Sequence, residues 1–123
     1  MLSKNAVVKT RKALEKGYIG TFTVTEHQKV TKPNHTTGFA DVDVIVDQPC
    51  RLSFSSSPST SNGDVPVINQ TVKLFFAPEI TVKEGSKITV TQNGVTTEYK
   101  QSGTPAVYQT HTEILLELFE GYA

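Results

Sequence analysis

The sequence predicts a small, mainly β domain, an antiparallel β-barrel or sandwich with a short N-terminal α-helix and one long loop. Three observations predict it. After Ile19 the apolar residues recur with period two over most of the chain. The alternating runs are short, broken by Pro, Gly and Asn, and no helical pattern lies between them. Asn93-Gly94 sits between two of these runs as a two-residue loop, where both central positions need positive φ. With 123 residues, 37% of them apolar, residues 1–123 are of single-domain size and supply one modest core.

Residues 3–16 contain no Pro or Gly, offer Ser3 or Asn5 as an N-cap, and meet a stop at Gly17, which predicts a helix. Its apolar content is thin, so it is expected to lie against the domain. Phe22 and Val24 alternate with Thr21, Thr23 and Thr25, predicting a first strand from Ile19 to about Val30. A turn is expected between Thr31 and Gly38, around Pro33 and Asn34. Val42, Val44 and Val46 alternate with Asp41, Asp43 and Asp47, predicting a second strand with acids outward and valines inward. Pro49 interrupts it before a short run in which Cys50, Leu52 and Phe54 share the inward face.

Residues 53–66 hold six Ser, two Pro and Asn62-Gly63-Asp64, and are expected to form a long loop. Loops of that length are functional or disordered, and both readings stay open. Val67–Phe76 reads as a strong strand, with Ile68, Val72, Leu74 and Phe76 on one face. Pro78 ends it, and Ile80 and Val82 precede a turn at Glu84-Gly85. The Asn93-Gly94 loop sets a register in which Gln92 opposes Val95, Val90 opposes Thr97 and Ile88 opposes Tyr99, with Ile88, Val90, Val95 and Tyr99 inward. Gln101–Pro105 has loop composition. Residues 110–119 fit two patterns: a helix opened by a Thr110/Glu113 capping box, or a closing strand. The need to cover a sheet edge favours the strand.

The charge is balanced overall but uneven along the chain. Residues 1–40 carry seven Lys/Arg against two Glu, a net of +5, and residues 41–123 carry five against ten acids, a net of −5. Such polarity serves an acidic partner, head-to-tail stacking of copies, or pairing inside the fold. Lys4, Lys9, Arg11, Lys12 and Lys16 cluster on the expected helix, where they can neutralise phosphates or dock an acidic surface. No apolar run approaches the roughly 20 residues of a membrane helix, and the charged start lacks a signal-peptide core. Manufacture in a cytoplasm is expected, and the lone Cys50 fits a reducing compartment. The sequons at Asn34 and Asn69 read as chance in that setting.

Catalytic and metal constellations are not evident. His27, His35 and His111 lack zinc-site spacing, and Cys50 has no second cysteine. A Cys50–His111 nucleophile pair is conceivable, but Cys50 falls on an apolar face, where a thiol packs as a small hydrophobe. Asp41, Asp43 and Asp47 read as a solvated strand face without the glycine and glutamate of a calcium loop. Gly85-Ser86-Lys87 reverses the phosphate-loop order and precedes a strand. The expectation is a protein that is not an enzyme and that uses no metal or cofactor.

The basic helix, Thr21-Phe-Thr-Val-Thr-Glu26, Asp47-Gln-Pro-Cys-Arg-Leu-Ser53, the Ser-rich stretch, Lys73-Leu-Phe-Phe76, Gly85-Ser-Lys-Ile-Thr-Val90 and Pro105-Ala-Val-Tyr108 succeed one another in a suggestive order. Taken together, the chain resembles the small head-completion, or stopper, proteins of long-tailed phages and prophages of Gram-positive bacteria. The resemblance implies a β-barrel subunit of the head–tail connector. Such subunits form a ring beneath the portal and adaptor rings, close the channel after DNA packaging and present a surface to the tail proteins. It further implies a channel loop, matched here by Ser55, Ser56, Ser57, Pro58, Ser59, Thr60, Ser61, Asn62, Gly63 and Asp64. Its partners would be copies of itself, the adaptor or portal ring and tail proteins, near packaged DNA and away from membranes, at the head–tail junction of the virion. The alternative is a small nucleic-acid-binding barrel using the basic helix, although such barrels want exposed aromatics for base stacking.

Overall fold

The computed structural model describes residues 3–60 and 66–122. One helix, α1 (Lys4–Glu15), precedes six strands: β1 (Gly20–Thr31), β2 (Thr37–Thr60), β3 (Pro66–Phe76), β4 (Lys87–Gln92), β5 (Val95–Val107) and β6 (Thr112–Leu118). They close into an antiparallel barrel in the order β1-β2-β3-β6-β5-β4. Closure disposes of the sheet edges that a set of short strands would otherwise leave open. Residues 110–119 therefore take the strand reading, because β6 is the piece that joins β3 to β5.

Inward residues from every strand fill the barrel. Phe22, Val24, Cys50, Leu74, Phe76, Ile88, Val90 and Ile114 are all essentially inaccessible. Phe22 and Phe76 meet with ring centroids 5.0 Å apart at a tilt of 49°, an edge-biased geometry that aromatic quadrupoles favour. Val82 is buried and Ile80 packs on the core while Thr81 and Lys83 face outward. This keeps the expected alternation across a segment that is not a strand.

The β4–β5 register is the one the Asn-Gly loop requires: Gln92 opposes Val95, Val90 opposes Thr97 and Ile88 opposes Tyr99. Asn93 and Gly94 both take positive φ, 54° and 77°, as a type I′ turn demands. Val95 differs from expectation, since it is 63% exposed. It shares the inward side of the pleat but lies past the barrel's rim.

The second strand departs further. Its pairing with β1 slips twice, between Phe22 and Val24 and between Val24 and Thr25, so β2 carries extra residues. Asp47 sits at the slip with φ 48° and donates its backbone N–H to Thr23 Oγ1 at 3.2 Å. Each extra residue turns the strand over. Ile45 packs on the core, and Val44 and Val46 point outward, so the expected inward valine face is corrected. β2 also runs unbroken through Pro49, and Phe54, expected inward, is exposed beyond the rim. Similarly, Gln101–Pro105 is not a separate loop. β5 continues through it, with a register shift between Ser102 and Ala106 that admits Gly103 at positive φ.

Two ribbons leave the barrel from opposite ends of β2. β1 pairs with β4 only as far as Thr25, yet its pairing with β2 continues to Thr31 opposite Thr37. β3 pairs with β6 only from Val72 onward, yet its pairing with β2 reaches out to Thr60 opposite Pro66. The long loop expected over 53–66 is thus strand through Thr60 and again from Pro66. Ser, Thr and Asn are poor strand signals, and Phe54, Ser55, Ser56 and Gln70 at the ribbon's base are exposed.

Candidate interaction site: the β2–β3 arm and the basic helix

Of the residues matched to a channel loop, the described ones are strand. Ser55, Ser56, Ser57, Pro58, Ser59 and Thr60 pair with Thr71, Gln70, Asn69, Ile68, Val67 and Pro66 in turn. Ser61, Asn62, Gly63 and Asp64 lie outside the described residues.

The arm is held at its root by a side chain. β1 begins opposite Cys50, so the backbone of Leu52 has no strand partner on that side. Gln92 supplies one: its Oε1 accepts from Leu52 N–H at 2.8 Å, and its Nε2 donates to Leu52 O at 3.0 Å. The carboxamide completes the ladder as a backbone peptide would. Beside it, Leu52, Phe54, Gln92, Val95 and Tyr99 line a largely apolar cavity of about 190 Å³.

α1 is capped by Ser3, whose Oγ accepts from Ala6 N–H at 3.2 Å. None of the helix's residues is buried. The five basic residues split into two roles. Arg11 is half-buried, donates to Glu15 at 3.1 Å and to Glu79, and so ties the helix to the segment after β3. The Arg11 guanidinium holds the Glu79 carboxyl below its usual range, and Arg11 itself is raised. Lys4, Lys9, Lys12 and Lys16 are exposed and form no ion pair with the described residues.

The histidines lie on separate features. His27 stands on the β1–β2 arm, sandwiched between Phe39 at 4.8 Å and Tyr122 at 4.6 Å, with Nδ1 2.9 Å from Asp41. His35 is in the arm's turn at φ 63°. His111 has both ring nitrogens engaged, by Thr110 at 3.0 Å and Glu113 at 2.9 Å. Cys50 is fully buried, and burial pushes its thiol up to about 12, far from the thiolate that nucleophilic chemistry requires. Among the described residues no group of three or more His, Cys, Asp or Glu could hold a metal ion, and no helix is long and apolar enough to cross a membrane.

The His27 cluster was not singled out by sequence. Its signal was available: a turn between Thr31 and Thr37 sets His27 opposite Asp41. The third member, Tyr122, arrives from the C-terminal tail, and its hydroxyl donates to Thr25 O at 3.4 Å; no local pattern foretells that.

No protein-family model matches the chain, and no curated protein matches it. Among solved structures it is similar to the phage-like element PBSX protein xkdH from Bacillus subtilis, at 12% identity and a TM-score of 0.45. That likeness covers 79% of this chain and 89% of the other.

Proposed function

We propose that the protein is a structural subunit of a phage head–tail connector, assembling as a ring that closes the portal channel after DNA packaging and offers the tail its attachment surface. The observation that carries this reading is the β2–β3 arm. A closed barrel has no packing use for ribbon pairing that runs on from Val72 to Thr60 opposite Pro66, yet an arm of this kind, anchored at its root by Gln92, reaches away from the barrel. It carries the residues that the family resemblance matches to a channel loop, and α1 presents a basic surface to an adaptor, portal or neighbouring subunit. The reading includes no catalytic step, no cofactor and residence in the virion. The nucleic-acid-binding alternative has no observation in its favour.

The test is removal of Ser57–Asn69, with a two-residue Asn-Gly turn joining the paired residues Ser56 and Gln70. The barrel remains folded by circular dichroism, the protein still occupies the head–tail junction in electron micrographs, and packaged DNA leaks from the heads. Full retention of DNA sinks the channel-closing role, and absence of the protein from the junction sinks the connector reading as a whole.

A further inference from the structure

The outward stripe of α1 carries more positive charge than the helix dipole uses, which favours Lys12 and Lys16 at the C-terminal end. At 100° per residue, Lys9, Lys12 and Lys16 fall on one side, while Arg11 and Glu15 turn toward Glu79 and the barrel. Lys9/Lys12 and Lys12/Lys16 are like-charge neighbours at i,i+3 and i,i+4, an arrangement that weakens a helix. Lys4 stands in the first turn, where no acid is present, against the helix dipole. None of these lysines has an anionic partner among the described residues, so the stripe is open to an acidic surface.

The same chain carries a complementary surface at the foot of the β1–β2 arm. A hollow of about 270 Å³ is lined by Glu26, His27, Phe39, Lys83, Glu84 and Tyr122. Asp41, Asp43 and Glu98 also bear on Tyr122, whose hydroxyl is raised by burial and by these acids and lowered by Lys87. Lys87 is paired with Glu98 at 3.2 Å. Glu26 and Glu84 outnumber Lys83 in the lining, and Asp41 stands 2.9 Å from His27 at its edge. Phe39, 63% exposed, stacks on His27 and gives it an aromatic wall. Carboxylates beside aromatic faces suit a lysine, which lays its methylenes on the ring and its ammonium against the acids. The helix is held away from its own hollow, because Arg11 ties it to Glu79.

We propose that the Lys9–Lys12–Lys16 stripe of one copy docks in the Glu26–Glu84 hollow of a second copy, a heterologous contact of the kind that closes a ring. The proposal rests on the connector reading and names the surfaces through which its subunits meet.

A charge swap on the full chain tests it. One variant carries Lys9→Glu, Lys12→Glu and Lys16→Glu; the other carries Glu26→Lys and Glu84→Lys. Glu26 is half-buried and accepts from Gln28 Nε2 at 3.0 Å, the other substituted side chains are exposed, and circular dichroism verifies folding of each variant. In low salt, sedimentation of wild type shows self-association, each variant alone associates at least about tenfold more weakly, and an equal mixture recovers, since the acidic helix of one fits the basic hollow of the other. Carbodiimide coupling of the wild type joins the helix lysines to Glu26 or Glu84 of another copy, read by mass spectrometry. Wild type that neither associates nor couples at these positions, variants that associate normally, or a mixture that fails to recover each overturn the proposal. So does salt-dependent binding of a generic DNA duplex that is lost in the helix variant while self-association persists, because the stripe then serves phosphates. If the contact fails but the protein still occupies the head–tail junction, the connector reading survives without it.

Discussion

Two hairpins meet where Gln92 bonds to Leu52, and they are built on different principles. In the β4–β5 hairpin, turn chemistry, register and burial agree: Asn93 and Gly94 supply positive φ, and Ile88, Val90 and Tyr99 go into the core. In the β2–β3 hairpin the pairing is longer, but past Leu52 and Leu74 only Val72 still packs on the core, and Phe54, Ser55 and Ser56, whose placement is described, are exposed. The first hairpin stabilises the domain; the second is carried by it. A ribbon that buries little surface contributes little to stability and is available for contact with something else.

This contrast is most directly broken by truncating one side chain on each side of the rim. Leu74→Ala, inside, is expected to cost about 2–5 kcal/mol, whereas Phe54→Ala, outside, costs under about 1 kcal/mol. Urea unfolding of both variants compares them, and equal losses would mean that the arm is part of the core.

The burial of Cys50 gives the next largest effect. Its folded pKa is raised above the ordinary 9.0 to about 12. The stabilising contribution of the neutral thiol is therefore complete below about pH 9 and is lost as pH rises toward 12, at up to about 1.4 kcal/mol per pH unit. The difference between wild type and Cys50→Ala, measured by denaturation across that range, isolates this slope. A parallel pair of curves would place the thiol in water.

Gln92→Ala removes both bonds to Leu52 and leaves its N–H and C=O without a partner, for an expected loss of about 1–3 kcal/mol, together with faster amide exchange at Leu52. If exchange there is unchanged, water replaces the carboxamide fully. Gly94→Ala strains a position at φ 77° and is expected to cost about 1 kcal/mol, seen as a lowered thermal midpoint. No change would mean that the turn is not decisive for register.

The smallest effect belongs to the helix tether. Because Arg11 depresses the Glu79 carboxyl, the tether is present above the normal carboxylate range and is lost as pH falls through the lowered value. Both groups are partly solvated, so the contribution is under about 1 kcal/mol. It is better read as increased amide exchange in α1 at acid pH, a response that Arg11→Ala abolishes.

The legible parts of the sequence were those where one local rule decides the outcome. Period two with β-branched residues marks Phe22 and Val24 or Leu74 and Phe76 as strand interior, Ser3 can cap only a helix that starts immediately after it, and Asn93-Gly94 dictates its own register. The family resemblance pointed to residues 55–64, and composition drew attention to the basic helix. Neither could reveal that Ser55–Thr60 pairs as strand, because a run of Ser, Pro and Thr carries no apolar alternation. Nor could they separate Arg11, which anchors, from Lys9, Lys12 and Lys16, which do not, since the distinction depends on Glu79 being nearby.

By itself, then, the sequence determined the β class, the N-terminal helix, the central hairpin and most of the core, all set by interactions between residues near one another or by a regular pattern of burial. Only the tertiary structure decided that six strands close into a barrel, that β2 slips twice against β1 and turns Val44 and Val46 outward, and that Tyr122 and Phe39 enclose His27. Each of these depends on where a strand meets a distant partner. A single added residue at a bulge reverses which face of the strand is buried, without changing the apolar pattern from which burial was read.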